Sequence, residues 1–239
     1  MIALVIATSI AAVVSLFGTR SLIGVLSERG ASQPILQQNA ANARVPAHQH
    51  KAGTPTMGGL IVVAAALVGY LISHVRAGVV FSDQTLWMWV GVLAMAGIGF
   101  VDDFIKVRRM RNRGVLWKLK GLITLLVAIG IAAVLVVTTD IDTRLSFTRA
   151  SSPGWQLGSV LWVLWAGVII FSTSNAVNVT DGLDGLAGGA AMIAFIAFGV
   201  IAFLAFRTPE HYAAVVNPFD LAVFAVAFAG ACGGFLWWN

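Results

Sequence analysis

The stretch from Leu186 to Phe206, LAGGAAMIAFIAFGVIAFLAF, contains no ionisable side chain. A helix of about 20 apolar residues is long enough to cross the hydrocarbon core of a bilayer. Irregular backbone and open strands cannot face lipid, because unpaired N–H and C=O groups are costly there. This stretch therefore predicts a transmembrane α-helix.

Comparable apolar stretches recur from one end of the chain to the other. Only 10% of the 239 residues are charged, whereas a globular domain has about 25%. This composition excludes a disordered chain and a soluble protein with an ordinary charged surface. We predict an all-α fold, a polytopic transmembrane helical bundle that forms a single integral membrane domain over residues 1–239. The seven predicted spans are Met1–Leu26, Thr56–Val75, Thr85–Val101, Leu119–Thr138, Leu157–Thr173, Leu186–Phe206 and Phe219–Trp238.

The distribution of Lys and Arg predicts which side of the membrane each loop faces. Of the 15 such residues, only Arg76, Arg144, Arg149 and Arg207 follow the even-numbered spans. Because loops rich in Lys and Arg stay in the cytoplasm, the N-terminus is predicted to lie outside. The predicted cytoplasmic loops cover about 27–55, 102–118 and 174–186. The Lys and Arg residues of the predicted cytoplasmic loops thus account for the net charge of +5. Because the chain has no nucleic-acid-binding motif, we predict no nucleic-acid partner.

Polar motifs concentrate in these predicted cytoplasmic loops. The acids of the predicted outer loops are scattered and show no pattern; they are Asp83, Asp140, Asp142, Glu210 and Asp220. This asymmetry predicts a functional site on the cytoplasmic face.

The first motif is GFVDDFIK, residues 99–106, at the end of the third predicted span. Acids beside an apolar helix are costly to desolvate and usually face a cavity or a partner. Neighbouring helical residues point about 100° apart, so Asp102 and Asp103 are suited to different tasks. One acid could help to hold Mg²⁺, which binds one or two carboxylates together with substrate phosphates. The alternative is a helix end with a local pair between Asp102 and Lys106.

The second motif is NAVNVTDGLDGLAGG, residues 175–189, directly before the sixth span. Asn178, Asp181 and Asp184 supply oxygen ligands, and the start of the following helix offers free N–H groups to a phosphate. The segment contains no Lys or Arg to neutralise its acids, which favours an external cation. The alternative is a tight loop whose side chains cap the sixth helix.

The third motif is HQHKAGTPTMGG, residues 48–59. Lys51 is a mobile cation, and the Gly, Thr and Pro residues offer backbone donors and hydroxyl groups that suit a diphosphate or nucleotide. The alternative is a solvated loop whose glycines permit close helix packing. Together, the three motifs predict Mg²⁺-dependent phosphoryl chemistry on a lipid that stays in the membrane.

In chain order the motifs are HQHKAGTPTMGG, GFVDDFIK and NAVNVTDGLDGLAGG, with Lys118 and Lys120 after GFVDDFIK. In this order and topology they closely resemble the phospho-N-acetylmuramoyl-pentapeptide transferase family, MraY. This family belongs to the polyprenyl-phosphate N-acetylhexosamine-1-phosphate transferases. The resemblance implies transfer of phospho-MurNAc-pentapeptide from UDP-MurNAc-pentapeptide to undecaprenyl phosphate, giving lipid I and UMP for peptidoglycan synthesis. It also implies a multi-pass protein of the bacterial cytoplasmic membrane, and it allows a homodimer.

The resemblance further implies roles for individual residues. Asp102 and Asp103 match the paired catalytic acids, either as a nucleophile or as activators of the lipid phosphate, and the sequence does not choose between the two. The sequence also leaves open which acid holds the metal, and the two candidate ligands are Asp102 and Asp181. The implied lysines near the phosphates are Lys106 and Lys118. The implied substrate-binding residues are Lys51, Thr56, Asn178, Asp184 and Asn239.

The resemblance departs from the family at the C-terminus. The family is longer and continues into a segment with a metal-binding aspartate and a later histidine-containing loop. Because electrostatic stabilisation is usually the largest catalytic term, we expect this chain alone to be nearly inactive. Two rival activities stay open: a sister transferase that uses UDP-N-acetylglucosamine, and a membrane prenyltransferase with aspartate-rich Mg²⁺ sites. A secondary transporter is more remote, because the acids lie at span ends and no internal repeat is visible.

Overall fold

The computed structural model describes residues 1–28, 58–75, 79–109, 115–145, 154–181, 184–212 and 215–239. Within these ranges the chain forms helices α1 (Ile2–Glu28), α2 (Gly58–His74), α3 (Asp83–Arg109), α4 (Trp117–Thr138), α5 (Gly158–Thr180), α6 (Leu186–Arg207) and α7 (Pro218–Leu236). All of these helices except α2, which has 17 residues, are long and apolar enough to cross a membrane. The predicted helical membrane bundle is therefore confirmed.

Two helices extend further than the apolar stretches predict. α3 continues past Val101 to Arg109, and α5 continues past Thr173 to Thr180. The residues that extend α3 include no Gly or Pro, so nothing in them interrupts the helical hydrogen bonds. In α5, the Asn175 side-chain amide donates to the Phe171 carbonyl at 2.8 Å. The first acids of the DDFIK motif and the first amides of the NAVN motif therefore lie on helices, inside regions predicted as loops.

α7 is the central helix of a group that also contains α1, α2 and α6, here called the α7 group. Small residues let its helices approach closely. A Cβ atom at Gly230 would collide with the Thr8 carbonyl of α1, and one at Gly69 of α2 would lie 2.9 Å from the Ala11 Cβ atom. Most of α7 is consequently buried.

α4 packs between α3 and α5, and these helices form a second group, the α4 group. α4 and α5 pack closely at Gly167, where an added Cβ would lie 2.8 Å from the Ile129 side chain. A short antiparallel pair of strands, β1 (Arg144–Leu145) and β2 (Trp155–Gln156), connects α4 to α5. The two groups meet where α3 contacts α2 and α7 and where α5 contacts α6. These contacts are smaller than those within each group, which leaves space between the groups at one end of the bundle.

Candidate functional site

A cavity of about 1800 Å³ occupies the space between the two helix groups. It brings together every predicted site residue that the structure describes; they are Asp102, Asp103, Lys106, Lys118, Asn178, Asp181, Asp184 and Asn239. Lys51 and Thr56 lie outside the described residues. Residues far apart in the sequence thus converge on one pocket, although their individual roles stay predictions.

Asp102 is the most buried acid of this cavity, with its side chain 6% exposed. Its Oδ2 atom lies 2.8 Å from the Lys106 Nζ atom and 2.9 Å from the Lys120 Nζ atom. The backbone N–H of Val115 donates to Oδ1 at 2.9 Å. A carboxylate with three such donors is held in its charged form and in one orientation.

Asp103 lies in a different environment, although it is the next residue on α3. Its side chain is 30% exposed, and its Oδ1 atom accepts a hydrogen bond from Lys106 at 3.0 Å. Lys106 therefore bridges the two acids. The expectation that adjacent helical acids are suited to different tasks agrees with this geometry: Asp102 is fixed by the protein, and Asp103 is the more accessible carboxylate.

Lys120 contacts Asp102 but is not among the predicted site residues. It lies on the first turn of α4 and joins that helix to α3 through Asp102. Lys118, which the prediction includes, is exposed and its ammonium group lies 5.5 Å from the centre of the Trp117 ring. A signal for Lys120 was present in the sequence, because a lysine inside an apolar helix requires a partner.

The second wall of the cavity is the connection from α5 to α6. Asn178 lies on the last turn of α5, Asp181 follows as the helix cap, and its N–H donates to the Val177 carbonyl at 3.1 Å. Gly185 precedes α6 with a φ of 73°, a left-handed conformation that favours glycine. Asp181 and Asp184 both line the cavity that α3 also lines.

The third wall is formed by the ends of α2 and α7. Gly58 and Gly59 begin α2, and Trp238 and Asn239 follow α7. The Trp238 indole N–H donates to the Leu16 carbonyl at 2.8 Å, and the Arg20 guanidinium lies 5.9 Å from the ring centre. These contacts fix Trp238 on α1 and so place Asn239 beside the cavity.

The donors of the cavity fit a magnesium ion only in part. The described residues contain no group of three or more His, Cys, Asp or Glu side chains able to hold a metal together. Mg²⁺ needs only one or two protein carboxylates when phosphate oxygens complete its shell. Two walls of the cavity each contribute acids and so supply this number of carboxylates, whereas Asp102 already accepts from two ammonium groups.

Comparison with known proteins assigns the chain to a family. The model of glycosyl transferase family 4 matches residues 85–239, and signature 1 of phospho-N-acetylmuramoyl-pentapeptide-transferase matches residues 51–63. A phospho-N-acetylmuramoyl-pentapeptide-transferase of Frankia alni is 37% identical over 98% of this chain and 68% of its own length. The chain belongs to the phospho-N-acetylmuramoyl-pentapeptide-transferase family. Further members are one of Beutenbergia cavernae, 36% identical over 100% of this chain and 70% of its own length, and one of Mycobacteroides abscessus, 39% identical over 99% and 68%.

Membership in the phospho-N-acetylmuramoyl-pentapeptide-transferase family confirms the resemblance inferred from the three motifs. The matched signature begins at Lys51 and covers the GTPTMGG segment, and the larger family match covers the other two motifs. The structure adds that GFVDDFIK and NAVNVTDGLDGLAGG line a single cavity together with the end of the chain.

Proposed function

We propose that this chain carries a site that serves the transfer of phospho-MurNAc-pentapeptide from UDP to undecaprenyl phosphate, giving lipid I and UMP. The observation that carries this proposal is the convergence of eight predicted site residues on one cavity at an end of the helix bundle. An oxygen of the lipid phosphate forms a bond to the sugar-linked phosphorus. The bond from that phosphorus to the bridging oxygen breaks, and UMP leaves with this oxygen.

The lysines of the cavity supply charge for the phosphates. An ammonium group has three N–H donors. Lys120 uses one of these on Asp102, and Lys106 uses one each on Asp102 and Asp103. Donors therefore remain on both lysines for phosphate oxygens, while Asp102 fixes the positions of the two ammonium groups. Electrostatic stabilisation of this kind is the main contribution of a protein to phosphoryl transfer.

Asp103 is the acid best placed to meet the substrates, because it is the more exposed member of the pair. It would contact the attacking lipid phosphate or accept a proton from it. Asp181, with Asp103 across the cavity, would hold Mg²⁺, which neutralises the charge of the diphosphate when bound. Asp102 would then serve mainly to position the lysines, and its predicted role as a metal ligand stays a prediction.

The location of this site in the cell is part of the proposal. The cavity lies at the end of the bundle where α3 and α5 finish and α6 begins. The distribution of Lys and Arg supports a cytoplasmic location for this end, and the bacterial relatives support the cytoplasmic membrane of a bacterium. UDP-MurNAc-pentapeptide would enter from the cytoplasm, and undecaprenyl phosphate would enter from the membrane.

A radiolabel assay tests the proposed function. Two proteins are assayed. The first is a chimera, in which the 239-residue chain is followed by the residues that come after the matched region in the Frankia alni relative. The second is the 239-residue chain alone. Each is incubated in detergent with undecaprenyl phosphate, Mg²⁺ and either labelled UDP-MurNAc-pentapeptide or labelled UDP-N-acetylglucosamine.

We expect the chimera to form labelled lipid and UMP from UDP-MurNAc-pentapeptide only. Transfer from UDP-N-acetylglucosamine alone would contradict the proposal in favour of the sister activity. Absence of transfer from both, in a chimera that is folded and binds the nucleotide, would contradict both activities. Transfer at a comparable rate by the 239-residue chain would refute the expectation that it is nearly inactive alone.

A further inference from the structure

A buried polar cluster lies at the ends of three helices, away from the cavity. We call it the Asp220 cluster, and its members are Tyr70, His74, Ser82, Thr85 and Asp220. The end of α2, the start of α3 and the start of α7 each contribute to it. The sequence pattern gave no reason to single out Asp220 among the scattered acids, but the side chain is nearly inaccessible, at 4% exposed.

Several donors converge on the Asp220 carboxylate. The Tyr70 hydroxyl donates to Oδ1 at 2.9 Å, and the Ser82 backbone N–H donates to Oδ2 at 2.8 Å. The Thr85 hydroxyl also contacts Oδ2, and the His74 Nε2 atom lies 3.0 Å from Oδ1. A carboxyl group surrounded by donors is stabilised as the charged carboxylate.

The surroundings of His74 offer an acceptor to each of its ring nitrogens. Nε2 faces the Asp220 carboxylate, and Nδ1 lies 2.8 Å from the Tyr70 carbonyl oxygen, which can only accept. The Ser73 hydroxyl does not supply a proton to Nδ1, because it donates to the same carbonyl at 2.6 Å. The Phe81 ring stacks on the imidazole with centres 4.2 Å apart, as is favourable for a cation.

The helices that meet in the Asp220 cluster also line the catalytic cavity at their other ends. α2 reaches the cavity at Gly58, α3 at Asp102 and α7 at Cys232. On α3, Thr85 and Asp102 are separated by about 26 Å at 1.5 Å per residue. The α3 helix belongs to the α4 group, whereas α2 and α7 belong to the α7 group, and contacts between the groups are small.

We propose that Asp220, paired as a buried carboxylate with the His74 imidazolium, latches the α4 group to the α7 group through its contacts with Ser82 and Thr85 at the start of α3, and thereby sets the width of the cavity. The pair joins α2 to α7 directly. The Ser82 and Thr85 contacts to the same carboxylate add the start of α3. Loss of Asp220 removes the carboxylate that holds Ser82 and Thr85, and loss of His74 removes the partner that fixes its position. In both cases α3 is free to change its angle to α2 and α7, and the displacement is largest at the distant cavity end.

Spin-label distances test this latch directly. The single cysteine, Cys232, is replaced by alanine, and labels are attached to Leu60→Cys on α2 and Phe104→Cys on α3. Both positions are exposed and lie near the cavity ends of their helices. We expect a single narrow distribution of distances between the two labels in the parent protein. In Asp220→Asn and in His74→Gln we expect this distribution to be at least twice as wide. Asp83→Asn removes an exposed acid from the start of α3 as the matched control and should leave the distribution narrow.

An unchanged narrow distribution in folded Asp220→Asn and His74→Gln would overturn the latch. The charge state is tested without altering the cluster, by ¹⁵N spectra of labelled histidine in the triple variant His48→Gln, His50→Gln, His211→Gln. In this variant His74 is the single histidine. We expect chemical shifts of two protonated ring nitrogens. A spectrum of a neutral tautomer would overturn the imidazolium assignment even if the variants failed to fold.

Discussion

Adjacent acids on one helix can lie in very different surroundings. Asp102 and Asp103 are neighbours on α3, but Asp102 is enclosed by Lys106, Lys120 and the Val115 N–H, whereas Asp103 has Lys106 alone among the contacts described above. The sequence predicted that the two acids are suited to different tasks, because neighbouring helical side chains point in different directions. It could not predict which acid is enclosed, since that depends on the start of α4.

This difference predicts different effects for the two amide substitutions. Asp103→Asn should lower the transfer rate of the chimera by several orders of magnitude and leave the melting temperature and nucleotide binding unchanged. Asp102→Asn should lower the transfer rate. It should also lower the free energy of unfolding by about 1–3 kcal/mol, because it weakens hydrogen bonds to charged partners. Thermal unfolding and the radiolabel assay measure the two effects. Equal melting temperatures for the two variants would contradict the assignment of Asp102 as the structural member.

A second prediction concerns Lys120. Lys120→Met keeps the volume of the side chain but removes the ammonium group that contacts Asp102. We expect a loss of about 10- to 100-fold in transfer rate, which corresponds to a charge-assisted hydrogen bond of about 1.5–3 kcal/mol. Arg108→Met, an exposed cation of α3, is the control and should keep most of the activity. Full activity in Lys120→Met would remove this residue from the site.

At the scale of elements, the packing of α1 on α7 depends on glycine. A Cβ atom at Gly230 would collide with the Thr8 backbone, whereas one at Gly233 would lie 3.4 Å from the Met192 sulfur, an ordinary contact with a flexible side chain. Gly230→Ala should destabilise the bundle by about 1–3 kcal/mol, because overpacking displaces backbone. Gly233→Ala should have little effect. Melting temperatures in detergent compare the two variants, and an equal shift for both would contradict the proposed close contact.

Hydropathy predicted the elements well because it is a local property. Every predicted span has a helix, and the uncharged stretch Leu186–Phe206 is matched by α6 almost residue for residue. The helix ends of α3 and α5 were less predictable, because hydropathy changes at Val101 and Thr173 while the backbone hydrogen bonds continue. The partners of Asp220 were hidden for another reason: His74 and Ser82 are distant from it in the sequence, and only tertiary packing brings them together.

For the whole molecule, the orientation in the membrane is still a prediction from charge. Single cysteines in a protein lacking Cys232 test it. Val75→Cys follows α2 and Val179→Cys lies near the end of α5, and both positions are at least 80% exposed. A maleimide that cannot cross membranes should label Val75→Cys in intact cells and label Val179→Cys only after permeabilisation. The opposite pattern would invert the topology and place the cavity outside the cell.

The arrangement in two helix groups explains how one cavity collects residues from the whole chain. The α4 group supplies Asp102, Asp103 and Lys120, and the ends of α1, α2, α6 and α7 complete the walls. The three motifs predicted a shared site from their common side of the membrane. The contribution of Trp238, fixed on α1 through Leu16, could not be predicted from any motif, because it is a contact across the length of the chain.

α3 is the helix that carries a buried contact at each end, Thr85 in the Asp220 cluster and Asp102 in the cavity. One inserted residue between them would lengthen the helix by about 1.5 Å and rotate one end relative to the other by about 100°. Both contacts could not then be made at once. The number of residues in α3 is therefore fixed by the relative directions of its two buried contacts as well as by the thickness of the membrane. Natural variation along α3 should consist of substitutions, with insertions and deletions confined to the loops.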